Sequence, residues 1–291
     1  MSDNAELTPP PPPMPDDGYQ NASKLSMTQT RETTLKESLQ IQRRVIRAFL
    51  LREMITRYGR NNLGFLWLFV EPLLVTMVFA LLWKFVRGSQ ISSINIVAFM
   101  ITGYPIMMLW RKSSSKVMGA VSSNIGLLYH RNVRVFDVLL SRMILEIASV
   151  TVAQIAILML LIFIGWIDLP ADIFYMIIAW LLMAFFGLGL GFLLYAISCK
   201  SEVFGKIWGA MGIVFMLASG VFYFVSSLPQ QAQEIVLWVP MIHGTEMFRH
   251  GYFGATVVTM ENPWYLALWD IILLLVGLLS VNNIVRQGAA K

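Results

Sequence analysis

Residues 173–197 read IFYMIIAWLLMAFFGLGLGFLLYAI, a run of 25 residues without a charged side chain. A helix of about 20 apolar residues, rising about 1.5 Å per residue, spans the roughly 30 Å hydrocarbon core of a bilayer. Five further stretches have a similar composition: about Leu63–Val86, Ile94–Trp110, Met143–Gly165, Ile207–Val225 and Trp264–Val285. The sequence therefore predicts an all-α polytopic membrane protein with six transmembrane helices, which excludes most classes of soluble enzyme.

The basic residues predict the orientation of these helices. Nineteen of the 22 lysines and arginines fall before the first stretch, in alternate connections, or in the C-terminal tail, and the exceptions are Lys84, Arg87 and Arg249. By the positive-inside rule both termini are cytoplasmic and the protein is a multi-pass membrane protein. The net charge of +5 therefore indicates anionic lipid headgroups at the cytoplasmic face, and we expect no nucleic-acid partner.

The N-terminal part of the chain divides into two segments. Residues 1–34 contain Pro9–Pro13 and few apolar residues, so we expect a disordered cytoplasmic tail. Residues 35–291 form the predicted transmembrane domain, which begins with an amphipathic helix at 35–57 lying in the plane of the membrane. A helix packed on another protein is the alternative for this segment.

Polar and small residues inside the predicted helices indicate close packing or a cavity. Among charged residues, we expect only Glu71 to lie well inside a stretch, and its charge requires protein or water beside it. Two GxxxG pairs, Gly187 with Gly191 and Gly205 with Gly209, allow close helix contacts. These contacts lie within the chain, at a dimer interface, or along a smooth pore wall.

Two connections are longer than a turn needs. The cytoplasmic connection, residues 111–142, contains an apolar segment that either docks on a partner or covers the chain's own helix ends. The external connection, residues 226–263, predicts short helices at 229–238 and 240–253, which form a re-entrant hairpin that caps a cavity. His243, Glu246 and Arg249 share one face of the second helix, where Glu246 and Arg249 are expected to pair.

The sequence contains no motif for an energy source of its own. The chain has no GxxxxGK[ST] motif, so it cannot bind ATP in the P-loop manner, and we expect no cofactor or metal on this chain. A secondary transporter is an alternative of another class, but it usually has internal repeats and several intramembrane charges, which are not evident here. A purely structural membrane subunit is a third possibility.

Three motifs resemble those of one family. Residues 57–67, RYGRNNLGFLW, followed by Glu71 and Pro72, resemble the first-span signature of ABC-2 type transporter permeases. Residues 124–129, NIGLLY, and two segments, SGVFY at 219–223 and PMIHGTEMFR at 240–249, resemble later parts of the same family. The similarity is closest to the capsular-polysaccharide export permeases of Gram-negative bacteria. Val239 departs from the family pattern, which often has Asn at that position.

The resemblance implies a homodimer that works with two copies of a separate ATPase subunit, which binds ATP and Mg²⁺. The complex would export acidic, lipid-linked polysaccharide across the inner membrane to periplasmic and outer-membrane export proteins. Another lipid-linked glycan, such as O-antigen or teichoic acid, or a drug is the alternative cargo.

The sequence patterns and the family resemblance together assign expected roles to individual residues. Substrate entry is assigned to basic residues where the amphipathic helix meets the first span: Arg43, Arg44, Arg47, Arg57 and Arg60. Coupling to the ATPase is assigned to Ser113, Lys116, Asn124, Leu127, Leu128 and Tyr129. Glu71 and Tyr223 are assigned as polar residues of the channel. The external hairpin is assigned His243, Glu246 and Arg249.

Overall fold

The computed structural model describes residues 35–58, 70, 73–75, 77, 78, 81, 82, 85, 94–124, 134–201 and 203–288. Over these ranges every regular element is helical, as the sequence predicts. The α-helices are α1 (Leu35–Tyr58), α2 (Ile96–Ser115), α3 (Val135–Phe163), α4 (Ile173–Lys200), α5 (Phe204–Ala218), α6 (Gln230–Val236), α7 (Pro240–Phe253) and α8 (Pro263–Arg286). The described residues divide into two units after Gln42, and the packing described below is within the second unit, which begins at Arg43.

Three of the described helices, α3, α4 and α8, are long and apolar enough to cross a membrane. Helix α5 is also apolar but has only 15 residues. The predicted disordered tail, 1–34, lies outside the described residues. Of the predicted first span, 63–86, the structure describes residues 70, 73–75, 77, 78, 81, 82 and 85, which are helical. The two short helices predicted for the external connection are present as α6 and α7.

Several boundaries differ from the prediction. Helix α3 begins at Val135, before the predicted start at Met143, because the Asp137 carboxylate caps it by accepting the Arg134 N–H at 3.2 Å. Helix α5 ends at Ala218 rather than at Val225, and the chain then turns through Gly220, whose φ of +75° few other residues adopt. The cytoplasmic connection is shorter than predicted, because α3 begins earlier and α2 continues to Ser115.

Polar caps begin the other long helices. Asn95 accepts hydrogen bonds from the first turn of α2, Asp172 from that of α4 and Asn262 from that of α8. Each side chain satisfies backbone N–H groups that have no partner within the helix. These caps place the helix starts where the apolar stretches predict them.

Helix α4 is the centre of the fold, packed against α2, α7 and α8. Its glycines permit this: a Cβ at Gly189 would lie 2.8 Å from the Leu273 carbonyl carbon of α8, and one at Gly187 would lie 3.1 Å from Trp110 Cα of α2. Gly191 likewise lies against Ser114 and Met143. The first GxxxG pair therefore serves packing within the chain, which was one of the three interpretations of the sequence.

Contacts between helix ends form two separate sets, one at each end of the packed helices. At one end the chain before α4 pairs with the end of α7, where the Asp172 N–H donates to Gly251 O at 2.7 Å, and Asn95 Nδ2 donates to Trp166 O at 2.6 Å. At the other end a separate apolar cluster includes Phe49 of α1, Val121 after α2, and Ile284 of α8. Alternate connections thus share an end, as the predicted topology requires.

A proline in α2 removes one backbone hydrogen bond, and a side chain from a neighbouring helix replaces it. Pro105 has no N–H, so the carbonyl of Ile101, four residues before it, lacks its usual partner. Gln154 of α3, which is buried, donates from Nε2 to Ile101 O at 3.0 Å. A carbonyl left unpaired in an apolar interior is unfavourable, so Gln154 links α2 to α3 at the position that the proline creates.

Replacing Gln154 with leucine should destabilise the protein by roughly 1–2 kcal/mol, because it leaves Ile101 O without a donor. In a Pro105→Ala background the restored backbone N–H can bond that carbonyl, so the same substitution should cost much less. A double-mutant cycle of thermal unfolding in detergent measures this coupling. Gln231→Leu, at an exposed position, is the control, and strictly additive effects of Gln154→Leu and Pro105→Ala would contradict the interpretation.

Candidate functional site

The external connection is built around α7, which is almost wholly buried. Its packing partners are α2, α4 and α8. Close approach to α4 and α8 is possible because Gly244 and Gly251 carry no side chain: a Cβ at Gly251 would lie 2.8 Å from Met176 N. Helix α7 is therefore an integral part of the helix packing. It contains all three polar residues predicted for the hairpin.

Arg249 is fully buried and binds the chain that follows α5. Its Nη1 donates to Gly220 O at 2.6 Å and to Tyr223 O at 2.7 Å, while Nη2 donates to Val221 O at 2.6 Å. The guanidinium carbon also lies 3.9 Å from the ring centre of Phe99 on α2. A planar guanidinium presents several N–H groups in a fixed fork, which suits three carbonyls in one turn.

Space for this guanidinium comes from α2. A Cβ at Gly103 would lie 2.6 Å from Arg249 Nη2 and 3.0 Å from Val221 O. Burial lowers the pKa of Arg249 to about 10, opposed by the nearby Glu246 carboxylate, so the side chain remains charged at neutral pH. The charge is therefore held among backbone dipoles and one aromatic face.

The Glu246 carboxylate lies closer to two backbone N–H groups than to the guanidinium of Arg249. Its Oε2 accepts the Met260 N–H at 3.2 Å and its Oε1 accepts the Val225 N–H at 3.4 Å. The predicted ion pair is present, with Arg249 Nη1 to Glu246 Oε1 at 4.0 Å. Burial raises the pKa of Glu246, whereas Arg249 and the two N–H groups lower it. Each charge thus has its own set of backbone partners.

His243 joins the two ends of the hairpin. Its Nε2 lies 2.9 Å from Leu237 O, which is an acceptor, and its Nδ1 accepts the Asn262 N–H at 3.0 Å. These partners require the neutral tautomer that carries hydrogen on Nε2. Burial lowers the pKa of His243, which agrees with a neutral ring. The ring therefore connects the end of α6 to the cap of α8.

The end of the helices that the sequence predicts to be cytoplasmic is held by α1. Arg52 Nη1 donates to Asn124 Oδ1 at 2.9 Å, Arg142 pairs with Glu53, and Phe49 is buried among the ends of α2, α3 and α4. Part of the apolar stripe predicted to face lipid thus packs on the chain itself. Arg43, Arg44 and Arg47 are exposed on the same helix.

The predicted coupling residues divide into three groups. Ser113 is fully buried and donates to Leu109 O, so it faces the chain's own interior. Lys116 is exposed, and Asn124 is anchored by Arg52. Several predicted residues lie outside the described part of the chain: Arg60, Glu71, Leu127, Leu128, Tyr129 and the side chain of Arg57.

Tyr223, predicted as a channel residue, is half-buried and donates from its hydroxyl to Ala218 O at 3.3 Å. The expectation that only Glu71 is a charged residue well inside a span is wrong, because Asp270 of α8 is buried at 4% exposure. Neither Asp270 oxygen has a hydrogen-bond partner among the described residues. Its position seven residues after Pro263, inside the predicted sixth span, was the available signal in the sequence.

Comparison with known families gives a match to the ABC-2 type transporter over residues 44–253, which includes the buried α7. The chain belongs to the ABC-2 type transporter family. Two related proteins are similar over nearly their whole length. The capsule polysaccharide export inner-membrane protein CtrC of Neisseria meningitidis serogroup B is 60% identical over 88% of this chain and 97% of its own. The corresponding protein BexB of Haemophilus influenzae is 55% identical over 87% of this chain and 95% of its own.

A more distant relative is the polysialic acid transport protein KpsM of Escherichia coli, 24% identical over 84% of this chain and 94% of its own. The resemblance inferred from the sequence motifs is thus confirmed at the level of the family. This ABC-2 type transporter is an inner-membrane transport protein with several membrane-spanning helices.

Removing the Arg249 side chain should strongly destabilise the hairpin. Arg249→Ala should cost about 3–5 kcal/mol, because it also leaves Glu246 buried beside no cation. Arg249→Lys should recover little, since one ammonium cannot reproduce the guanidinium fork. Exchanging Glu246 and Arg249 should also fail, because each binds different backbone groups. Thermal unfolding and limited proteolysis of residues 226–262 measure these effects.

Gly103→Ala tests the same site without removing a charge, because its Cβ would meet the guanidinium. It should destabilise the hairpin, whereas Gly119→Ala, whose added Cβ meets nothing within 4 Å in the described part of the chain, should be neutral. Native stability in Arg249→Lys, or recovery in the exchanged variant, would show that a simple ion pair accounts for the site.

Proposed function

We propose that this chain is the membrane permease of an ATP-driven exporter that moves lipid-linked acidic capsular polysaccharide across the inner membrane. The observation that carries the proposal is 55–60% identity, over almost the full length of each, to inner-membrane proteins named for capsule polysaccharide export. Such identity over 95–97% of those proteins leaves little room for a different cargo class. A drug, O-antigen or teichoic acid would need a pathway that these relatives do not indicate.

The energy source is a separate ATPase subunit. The chain lacks a P-loop, and membership of the ABC-2 type transporter family implies an ABC ATPase partner. We place the contact at residues 125–133, where the sequence carries the apolar residues Leu127, Leu128 and Tyr129 in a row. The flanks of this segment support the placement: Asn124 is bound by Arg52, and the Arg134 N–H is bound by Asp137. A segment with both ends held can transmit a displacement to α2 and α3.

The transporter would be a homodimer with six spans per chain. Helices α3, α4 and α8 supply three long spans, α2 and α5 supply shorter ones, and 63–86 would supply the first. Helix α7 would enter the membrane from the external side, since its 14 residues extend only about 20 Å, less than the roughly 30 Å core. Periplasmic and outer-membrane export proteins would receive the polymer.

Entry of the anionic lipid terminus is assigned to α1. Arg43, Arg44 and Arg47 are exposed there, and Arg57 and Arg60 follow toward the predicted first span. Exposed guanidinium groups bind phosphate and carboxylate oxygens through two parallel N–H donors. Glu71 and Tyr223 are kept as candidate polar residues of the channel.

Deleting this chain from an encapsulated bacterium should leave capsular polysaccharide inside the cell. The native chain should restore export. A Leu127→Ser/Leu128→Ser/Tyr129→Ser variant should not, although it inserts in the membrane, because the ATPase loses its apolar contact. Val203→Ser, which changes an exposed apolar residue outside this segment, is the control. The proposal is wrong if capsule still reaches the surface in the deletion strain while another surface glycan is lost.

Topology can be tested with single cysteines in a Cys199→Ala background. Cysteines at Gln231 and Ser122, both exposed, should react with a membrane-impermeant thiol reagent from the external and cytoplasmic sides respectively. Labelling in intact spheroplasts and in inverted vesicles separates the two sides. Reaction of both positions from one side would refute the six-span arrangement.

A further inference from the structure

A cleft of about 380 Å³ lies between the C-terminal half of α2 and the helix α5. This volume is in the range of small-ligand sites, which is about 300–1,000 Å³. The lining residues are Tyr104, Met107, Met108, Arg111, Lys112, Ser115, Lys116, Met118, Gly205, Trp208, Gly209 and Gly212. Among these described lining residues there are three cations and no carboxylate.

The three cations come from one short segment. Arg111 and Lys112 lie in the last turns of α2, and Lys116 follows the helix directly. The Arg111 guanidinium lies against α5, since a Cβ at Gly212 would be 3.4 Å from its Nε and Nη2. Three positive groups around one cleft, with no carboxylate among its described lining residues, favour an anion with several oxygen acceptors.

The opposite wall is formed by α5 and is partly bare. A Cβ at Gly205 or Gly209 would meet nothing within 4 Å among the described residues, so these glycines leave space. Between them Trp208 is buried and fixed, with Nε1 donating to Ser115 Oγ at 2.9 Å. Its ring also lies 5.6 Å from that of Phe215. This wall therefore offers apolar and aromatic surface beside the cations.

The combination of charge and apolar surface distinguishes the ligand. A free inorganic anion would use the cations alone, whereas Met107 and Met108 are buried beside them and the outer face of α5 exposes Ile213, Val214 and Leu217. An anion attached to an acyl lipid would contact both the cations and the apolar surface. The basic end of α2 is also the end predicted to lie at the cytoplasmic headgroups.

We propose that this cleft binds a phosphate group carried on a membrane lipid, with Arg111, Lys112 and Lys116 as the phosphate ligands and Trp208 as the apolar wall. The site is separate from the exposed arginines of α1, because Arg43, Arg44 and Arg47 do not line the cleft. Identification of that lipid as the terminus of the transported glycan rests on the proposed function; phosphate binding at the cleft does not.

The test is direct binding to the purified chain with its ATPase partner in uncharged detergent. The probe is a fluorescent phosphatidic acid, compared with a diacylglycerol that has the same chains and label but no phosphate. The cleft variant is Arg111→Gln/Lys112→Gln/Lys116→Gln. The matched control, Lys200→Gln/Lys206→Gln/Arg286→Gln, removes the same charge from exposed positions outside the cleft. Thermal unfolding establishes that both variants are folded.

The cleft variant should bind phosphatidic acid at least about tenfold more weakly than the native chain, because it loses charge-assisted bonds. The control should bind with an affinity within about twofold of that of the native chain. Gly209→Leu, which fills the cleft without changing charge, should weaken binding as well. Equal weakening in the two triple variants, or equal affinity for diacylglycerol, would overturn the proposal.

Inorganic phosphate separates the two sources of the anion. Displacement of the labelled lipid only at far higher phosphate concentration supports a lipid-borne group, whereas displacement at similar concentration would overturn that part of the proposal. These measurements do not involve export. A failed binding test therefore refutes the cleft alone, and failure of the deletion test refutes the proposed function alone.

Discussion

The buried guanidinium of Arg249 allows the chain to leave helix α5 in the interior of the protein, because it binds backbone carbonyls that follow the helix. After α5 ends, the carbonyls of Gly220, Val221 and Tyr223 have no helical partners, and Arg249 supplies donors to all three. Irregular backbone is tolerated at membrane depth only where protein or water satisfies it. The desolvation of a charge costs several kcal/mol, which these short bonds and the aromatic contact offset. A neutral donor would satisfy fewer of the carbonyls.

The position of α5 depends on this interaction because the helix has few others within the described chain. Only Trp208 and Gly212 are buried along its length. Its beginning is fixed by the bond from Trp208 to Ser115, and the chain after its end is fixed by Arg249. Two anchors therefore orient a helix that is otherwise exposed. The same anchors set the separation between α5 and α2, and hence the width of the cleft between them.

The long helices could be predicted closely from sequence, since length and apolar composition suffice for them. Helix α8 was predicted at 264–285 and is found at Pro263–Arg286, and the short α7 was predicted with its observed bounds. The end of α5 could not be predicted, because its determinants are far apart: Arg249 binds a carbonyl 29 residues earlier. The spacing of Glu246 and Arg249 predicted their common face. It contains no information on the backbone groups that each one binds.

The two GxxxG pairs show why a local pattern does not determine a site. Gly187 and Gly191 lie against α2 and α3, so a side chain there would collide with backbone or side-chain atoms. Gly205 and Gly209 have the same spacing, but an added Cβ there would meet nothing within 4 Å among the described residues. Spacing fixes only that two glycines share a helix face, while the neighbouring helices decide what covers that face. In α4 the missing side chains bring backbones together. In α5 they leave room beside three cations, and this contrast follows from the tertiary packing alone.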